Sequence, residues 1–165
     1  MISLYDDDEL LNTNGEPYFL FKCADVLYGL HALDVYEILE FQHITKVPKL
    51  NNYIKGIANI RGNLVCVVDL LQRLDQGATN IDKKTSIVLV RTIQEEIEHT
   101  IGIIIDEIFE VDGLDKDTLK ETPLFGTKIN SKFIRNIAKY NNKEVYILNQ
   151  DTILDIDDLA QLKGE

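Results

Sequence analysis

The sequence of 165 residues has few cysteines and a deficit of positive charge. Cys23 and Cys66 lie far apart and outside any Cys-x-x-Cys motif, which predicts two reduced side chains and no disulfide or metal staple. Lysine and arginine number 17 against 28 aspartates and glutamates, which gives a net charge of -11. Nucleic acids and anionic membranes attract a positive surplus, so general affinity for either is excluded.

Long apolar segments are also missing. The longest runs, such as 64–68, are far too short to cross a bilayer. The first residues carry four consecutive acids where a secretory signal would have a basic flank and an apolar stretch. We therefore expect a cytoplasmic protein that does not insert into a membrane.

The sequence lacks the motifs of common catalytic sites. It has no phosphate-binding loop, nucleophile elbow, zinc-binding His-Glu-x-x-His segment or EF-hand loop. Its three histidines, His31, His43 and His99, are scattered and stand outside metal-ligand spacing from the cysteines. No catalytic residue, cofactor or metal site is predicted. A small-ligand enzyme on a β barrel is the weakest alternative, because no nucleophile or acid–base pair can be named for it.

Short apolar segments rich in Ile, Val, Tyr and Phe recur between turn residues from Tyr18 onward, which is typical of an antiparallel β protein. Ten strands are predicted, at 18–23, 27–32, 39–45, 56–60, 64–69, 86–92, 100–106, 109–113, 136–140 and 144–149. Tight turns are predicted at 24–25, 61–63 and 141–142. Short helices are predicted at 33–38 and 70–74, and a terminal helix at 151–163. No long helix separates two strands, which excludes alternating βαβ folds.

An internal repeat relates parts of the chain that lie 80 residues apart. Residues 53–58 align without a gap with 133–138, and residues 65–69 align with 145–149. A weaker pairing sets Tyr28-Gly29-Leu30 against Ile101-Gly102-Ile103. Two copies of one small β unit are therefore predicted, with a boundary in the polar stretch 75–84.

Three residues are candidates for recognition rather than catalysis. Arg61 lies in a turn between two apolar segments, where its guanidinium would have a fixed position, although it could equally be a solvated turn residue. Glu37 interrupts an apolar stretch, and its alternative role is an outward-facing polar residue. Gly56 stands in a strand-like segment, where glycine often marks a bulge or the close approach of another backbone.

These residues also belong to a pattern that resembles the CheW family of bacterial chemotaxis coupling proteins. The pattern consists of Tyr28-Gly29-Leu30, 35–38, Val47-Pro48, 53–62, 67–70 and, in the second half, 101–108. The order and spacing of the pieces carry the resemblance, which covers essentially residues 17–162. The family often has glycine where Asn136 stands, which leaves the local turn geometry open.

The resemblance implies a mainly β fold of two five-stranded SH3-like barrels followed by a short C-terminal α-helix. Combined with the repeat, it predicts a flexible acidic arm at 1–16 and a CheW-like domain at 17–165. Within that domain the first barrel would occupy 17–74, the linker 75–84, the second barrel 85–150 and the helix 151–163.

The resemblance also implies a non-catalytic adaptor that is monomeric alone and forms arrays with its partners. Those partners would be chemoreceptor cytoplasmic tips and the regulatory domain of the histidine kinase CheA. Arg61 and Glu37 match positions that the family associates with partner binding, Arg61 chiefly with the receptor, and Val35 and Gly56 match positions associated with the kinase. Two alternatives remain within the family. The protein could be an adaptor of a chemosensory pathway for pili or gliding, or it could be a kinase regulatory domain cut from a longer chain.

Overall fold

The computed structural model describes residues 15–123 and 128–160, which form two β sheets and three short helices. The strands are Glu16–Cys23 (β1), Val26–His31 (β2), Val35–Glu40 (β3), Ile54–Ile60 (β4), Asn63–Asp69 (β5), Ser86–Gln94 (β6), Ile97–Ile105 (β7), Glu107–Leu114 (β8), Lys120–Glu121 (β9), Ile134–Tyr140 (β10) and Lys143–Leu148 (β11). The helices are Leu70–Arg73 (α1), Gln150–Ile153 (α2) and Ile156–Ala160 (α3). The predicted mainly β fold of two small units with a short helical C-terminus is confirmed.

The two sheets exchange strands between the halves of the sequence. The six-stranded sheet has the order β8-β1-β2-β11-β10-β9, and the five-stranded sheet has the order β3-β6-β7-β5-β4. The hairpin β1–β2 therefore joins later strands, and the hairpin β6–β7 joins earlier ones. We call the two sheets, with the helices that follow them, the six-stranded unit and the five-stranded unit.

The predicted ranges 17–74 and 85–150 do not correspond to these units, because each range contributes strands to both sheets. The parallel pairs are the cause. Strand β5 pairs with β7, and β11 pairs with β2, so each sheet needs a hairpin from the other half of the sequence. A repeat makes such an exchange favourable, since each half offers the other an equivalent edge.

The internal repeat is visible in the pairing of the strands. Ile54 and Ile134 open equivalent hairpins, and both hairpins have a register irregularity immediately after this residue. At the end of each hairpin a side chain begins the next helix: Asp69 accepts a hydrogen bond from the amide of Leu71, and Asn149 accepts one from the amide of Thr152.

Two predicted helices differ from the observed ones. The segment 33–38 was expected to be helical, but only Ala32–Asp34 forms a single 3-10 turn, and β3 follows at once. Pairing with β6 gives the backbone N–H and C=O groups of β3 hydrogen-bond partners, many of which a helix of only six residues would leave without one. The terminal helix is interrupted near Asp155, whose carboxylate accepts hydrogen bonds from the amides of Asp157 and Asp158 and so begins α3. Residues 161–163 of that prediction, like most of the arm 1–16, lie outside the described residues.

The buried side chains of the described residues form three apolar clusters. The largest contains buried side chains from both sheets, including Phe19 and Tyr28 from one and Val88 and Ile103 from the other. Two smaller clusters fill the interior of each unit separately. The molecule is therefore two small β units held together by a shared apolar interface, which is where most of the burial energy lies.

Candidate protein-binding site

Arg61 and Glu37 form a bidentate ion pair on the five-stranded unit. Arg61 occupies the tight turn between β4 and β5, where its φ of 53° and the φ of 84° at Gly62 are those of a two-residue hairpin turn. Its Nη1 donates to Oε1 of Glu37 at 2.9 Å, and its Nη2 donates to the second carboxylate oxygen. The two residues selected from the sequence are therefore brought together, although 24 positions separate them along the chain.

The members of this pair differ in burial. Glu37 is only 8% exposed, whereas the side chain of Arg61 is 59% exposed. The hydrogen bonds that Arg61 donates to Glu37, and then the negative charge of Glu37, raise the pKa of the Arg61 guanidinium. The buried carboxylate thus fixes the orientation of an exposed, permanently charged group, which is the arrangement that suits recognition of a carboxylate or carbonyl on a partner.

The pair joins the two edges of the five-stranded sheet. Strands β3 and β4 are the edge strands, and the chain leaving β3 runs back alongside β4. Gln42 donates to the carbonyl of Asn59 at 3.1 Å, and Thr45 and Ile57 exchange two backbone hydrogen bonds of 2.8 Å. The sheet is thereby closed, and the Arg61–Glu37 pair lies at one end of the closure.

Gly56 is buried beneath the chain's own backbone. A Cβ atom at this position would lie 2.0 Å from the carbonyl oxygen of Thr45, and its φ is +141°. The close approach expected at this glycine therefore exists, but the approaching backbone is internal. Asn136, the equivalent residue in the six-stranded unit, instead uses its amide to donate to the carbonyl of Lys120 at 3.3 Å.

Val35 is also inaccessible. Its relative exposure is 0%, and it belongs to the cluster between the two units. Both Val35 and Gly56 are buried, so neither residue can touch a partner directly in this conformation. A substitution at either position would affect a partner only by changing the exposed surface that packs on these residues.

A pocket of about 270 Å³ lies next to Gly56. Its lining is formed by Phe41, His43, Ile44, Lys46, Lys55, Asp69, Thr79, Ile81 and Ile104. Most of the lining surface is apolar, and Ile81 in this lining is 58% exposed. The carboxylate of Asp69 satisfies Thr79 with bonds of 2.7 and 3.0 Å, which holds the 75–84 segment in place. Lys46 and Lys55 stand against the single carboxylate of Asp69, so the lining has a small positive surplus in a chain of net charge -11.

Sequence reasoning missed this pocket because its residues come from five separated parts of the chain, at 41–46, 55, 69, 79–81 and 104. The only available signal was the run of lysine and histidine between 43 and 49, which contrasts with the acidic ends of the chain. Within the described ranges no group of three His, Cys, Asp or Glu side chains could hold a metal ion. In the same ranges no helix is long and apolar enough to span a membrane.

Fold and site together define a small β protein of two related units with a fixed, exposed arginine on one of them. Residues 17–158 match the CheW-like domain, so the chain belongs to the CheW-like family. It is 28% identical to the chemotaxis protein CheW of Bacillus subtilis over 86% of this chain and 88% of that protein.

Two further relatives extend the comparison. The crystal structure of the scaffolding protein TtCheW from Thermoanaerobacter tengcongensis superposes with a TM-score of 0.78 at 29% identity, covering 88% of this chain and 91% of that chain. Protein PilI of Pseudomonas aeruginosa is 30% identical over 53% of this chain and 47% of its own length. The family resemblance inferred from the sequence is therefore confirmed, and the protein is of the scaffold type.

Proposed function

We propose that this protein is a cytoplasmic, non-catalytic adaptor that couples chemoreceptor signalling tips to the regulatory domain of the histidine kinase CheA. Family membership supports the adaptor role. The observation that carries the proposal is the Arg61–Glu37 pair, a buried carboxylate that holds an exposed guanidinium in one orientation. A receptor tip is a helical hairpin, and we place one of its helices along both units, in the groove between them, with the fixed guanidinium of Arg61 as a polar anchor at the edge.

The receptor contact is tested by replacing Arg61. Arg61→Ala should weaken binding to a purified receptor tip roughly tenfold, because a fixed interface arginine is a frequent source of binding energy. Arg61→Lys should restore binding only in part, since lysine lacks the guanidinium fork. Lys139→Ala is the matched control, because Lys139 is an exposed cation on β10, the equivalent strand of the six-stranded unit.

Two measurements separate recognition from folding. Arg61→Ala removes the bidentate partner of a buried carboxylate, so some loss of stability is expected, and the double variant with Glu37→Ala should recover part of it. If both single and double variants bind the receptor tip as the parent protein does, at low and at high salt, Arg61 has no receptor-binding role.

For the kinase we propose the basic pocket beside Gly56 instead of a direct contact through Val35 or Gly56. The pocket has a mainly apolar lining that includes Lys46 and Lys55, which fits a protruding apolar side chain flanked by carboxylates. Burial of Gly56 under Thr45 supports this placement, because a substitution there would deform the adjoining wall at Ile44.

Charge reversal in the pocket tests the kinase contact. Lys55→Glu should weaken binding of the kinase regulatory domain roughly tenfold in titration calorimetry, and Ile81→Asp should do the same through the apolar wall. Lys83→Glu is the control, because Lys83 is exposed in the neighbouring segment and does not line the pocket. Unchanged affinity for both pocket variants would place the kinase elsewhere.

Similarity to PilI supports a second candidate, an adaptor in a chemosensory pathway other than the flagellar one. The Arg61 and pocket experiments do not distinguish the two pathways. Pull-down from cells of the source organism, followed by identification of the bound receptor and kinase, does so. Recovery of flagellar-pathway receptors would reject this second candidate.

A further inference from the structure

Arg73 is a buried arginine that the site described above does not use. It ends α1 in the five-stranded unit, and its side chain is only 8% exposed. Its guanidinium lies between two aromatic rings, 4.8 Å from the centroid of Tyr53 and 4.9 Å from that of Phe133. Burial of a charged group requires compensating partners, and this one has them on both sides.

The hydrogen bonds of Arg73 all cross to the C-terminal helices. Its Nε donates to the carbonyl of Ile153 at 2.7 Å, and its Nη2 donates to the carbonyl of Thr152 at 3.3 Å. The same Nη2 lies 3.0 Å from a carboxylate oxygen of Asp158 in α3. The hydroxyl of Tyr53 also donates to the carbonyl of Asp158, at 3.2 Å.

These contacts lie where the two repeats meet each other. Tyr53 and Phe133 are equivalent residues, each preceding the first strand of an equivalent hairpin. Ile153 is the residue 80 positions after Arg73, so Arg73 contacts its own counterpart. An arginine at this point breaks the symmetry of the repeat: one copy supplies the guanidinium, and the other supplies carbonyl groups and an aromatic face.

We propose that Arg73 is a positioning residue that fixes the orientation of the five-stranded unit relative to the six-stranded unit. The apolar cluster between the units is non-directional and limits their separation. Hydrogen bonds from Thr92 to Asp151 at 2.6 Å and from Gln94 to the carbonyl of Leu154 at 2.7 Å also link β6 to the C-terminal segment. Arg73 differs from them because its planar group contacts one ring from each unit and donates to both α2 and α3, so it is directional and sets their rotation.

The proposal predicts an unequal effect on the two partners. A receptor helix that lies along both units needs their relative orientation, whereas the kinase pocket is built from the five-stranded unit and the segment attached to it. This consequence rests on the proposed function. The orientation itself can be measured without any partner.

The test is a distance measurement between the units by pulsed electron spin resonance. Spin labels are placed at Leu64→Cys, which is 73% exposed on the five-stranded unit, and at Lys139→Cys on the six-stranded unit, with both native cysteines replaced by alanine. Arg73→Met retains length and apolar bulk, and should shift or broaden the distance distribution. Arg73→Lys retains the charge without the fork, and should give an intermediate distribution.

Val145→Ala is the matched control. Val145 is fully buried inside the six-stranded unit, so its truncation lowers stability without touching the contacts of Arg73. The control distribution should equal that of the parent protein. If Arg73→Met does not fold, Tyr53→Leu removes one ring of the stack and should broaden the distribution. An unchanged distribution in whichever of these variants folds overturns the proposal.

Binding to the two partners is measured on the same variants. Arg73→Met should weaken receptor-tip binding at least fivefold and leave kinase-domain binding unchanged. A shifted distance distribution with unchanged receptor binding would support the role of Arg73 and reject the placement of the receptor along both units. An unchanged distribution with weakened receptor binding would reject the role of Arg73 in orientation.

Discussion

Gly56 and Gly62 both have positive φ, but only Gly56 is crowded. A Cβ atom would meet the carbonyl of Thr45 at 2.0 Å at Gly56, whereas nothing lies within 4 Å at Gly62. We expect Gly62→Ala to cost about 1 kcal/mol, the penalty of a left-handed conformation. Gly56→Ala should cost about 3 kcal/mol or more, because it adds a backbone clash in a buried position.

Urea denaturation of the two alanine variants measures this difference. Equal losses of unfolding free energy at the two glycines would show that the segment carrying Thr45 moves away without penalty. The comparison also decides how a charged substitution at Gly56 should be interpreted, because a variant that is partly unfolded reveals nothing about a kinase contact.

The buried thiol of Cys23 should make the free energy of unfolding fall as pH rises in the alkaline range. Burial raises the pKa of its thiol to about 12, far above the value near 9 of an exposed thiol. Between these values the unfolded chain loses a proton that the folded chain keeps, so unfolding becomes more favourable as pH rises. The loss should approach about 1.4 kcal/mol per pH unit for this one group, and it is absent below pH 8.

Urea melts at pH 8, 9.5 and 10.5 give this slope. Cys23→Ala should be less stable at pH 8, and its free energy of unfolding should fall less steeply as pH rises. Part of the fall should remain, because burial also raises the pKa of Tyr28. An identical slope in the variant and the parent would mean that the thiol ionises at its ordinary pKa in the folded protein.

At the scale of elements, the hairpin β6–β7 turns at two acids. Glu95 and Glu96 have φ values of 52° and 65°, a conformation that favours asparagine and glycine. This turn is not predictable from the sequence, because neither residue is a turn former and the predicted strands 86–92 and 100–106 stop short of it. Nonlocal pairing along the whole of β6 and β7 imposes the turn on an unfavourable sequence.

Replacing this turn should therefore stabilise the protein. Glu95→Asn combined with Glu96→Gly should raise the free energy of unfolding by about 1 kcal/mol, because the positive φ values no longer oppose the side chains and two like charges are removed. Thermal and urea denaturation check the gain. The control is the turn at 141–142, which has similar φ values. Asn141→Gly with Asn142→Gly should give little gain there, because asparagine already suits the turn.

At the scale of the whole molecule, the exchange of hairpins makes each half of the sequence incomplete. A fragment ending at Asn80 holds β1–β5, and its β1–β2 hairpin has lost the sheet that it joins. We expect fragments 1–80 and 81–165 to be largely unfolded alone and to form a folded complex when mixed, because every sheet contact between the halves is then restored.

Circular dichroism and size-exclusion chromatography of the separate and mixed fragments measure this outcome. Cutting after Asn80 keeps the Asp69–Thr79 hydrogen bonds within the first fragment. A fragment that folds alone with native strand content would mean that its strands can pair within one half. Raising the concentration of one fragment alone should not produce folded protein, because each fragment lacks strands that the other supplies.

Local sequence determined much of this protein. Short apolar segments between turn residues located, in whole or in part, ten of the eleven strands in the described ranges, because the strands of a small β protein are short, largely buried and bounded by turns. The repeat located two equivalent hairpins, and the turn residues located their two tight turns as well as the turn at 24–25 between β1 and β2. Arg61 and Glu37 were identified as candidates from their positions in apolar surroundings and from the family pattern.

Tertiary structure decided which strands pair and which side chains meet. The exchange of β1–β2 and β6–β7 between sheets depends on nonlocal contacts that two similar repeats leave equally open. The Arg61–Glu37 pair exists because sheet closure joins its edges, and Arg73 meets Phe133 only where the repeats face each other. Val35 and Gly56 are buried for the same reason: burial is a property of what packs above a residue, and the segment containing Thr45 and the apolar cluster between the units supply that cover.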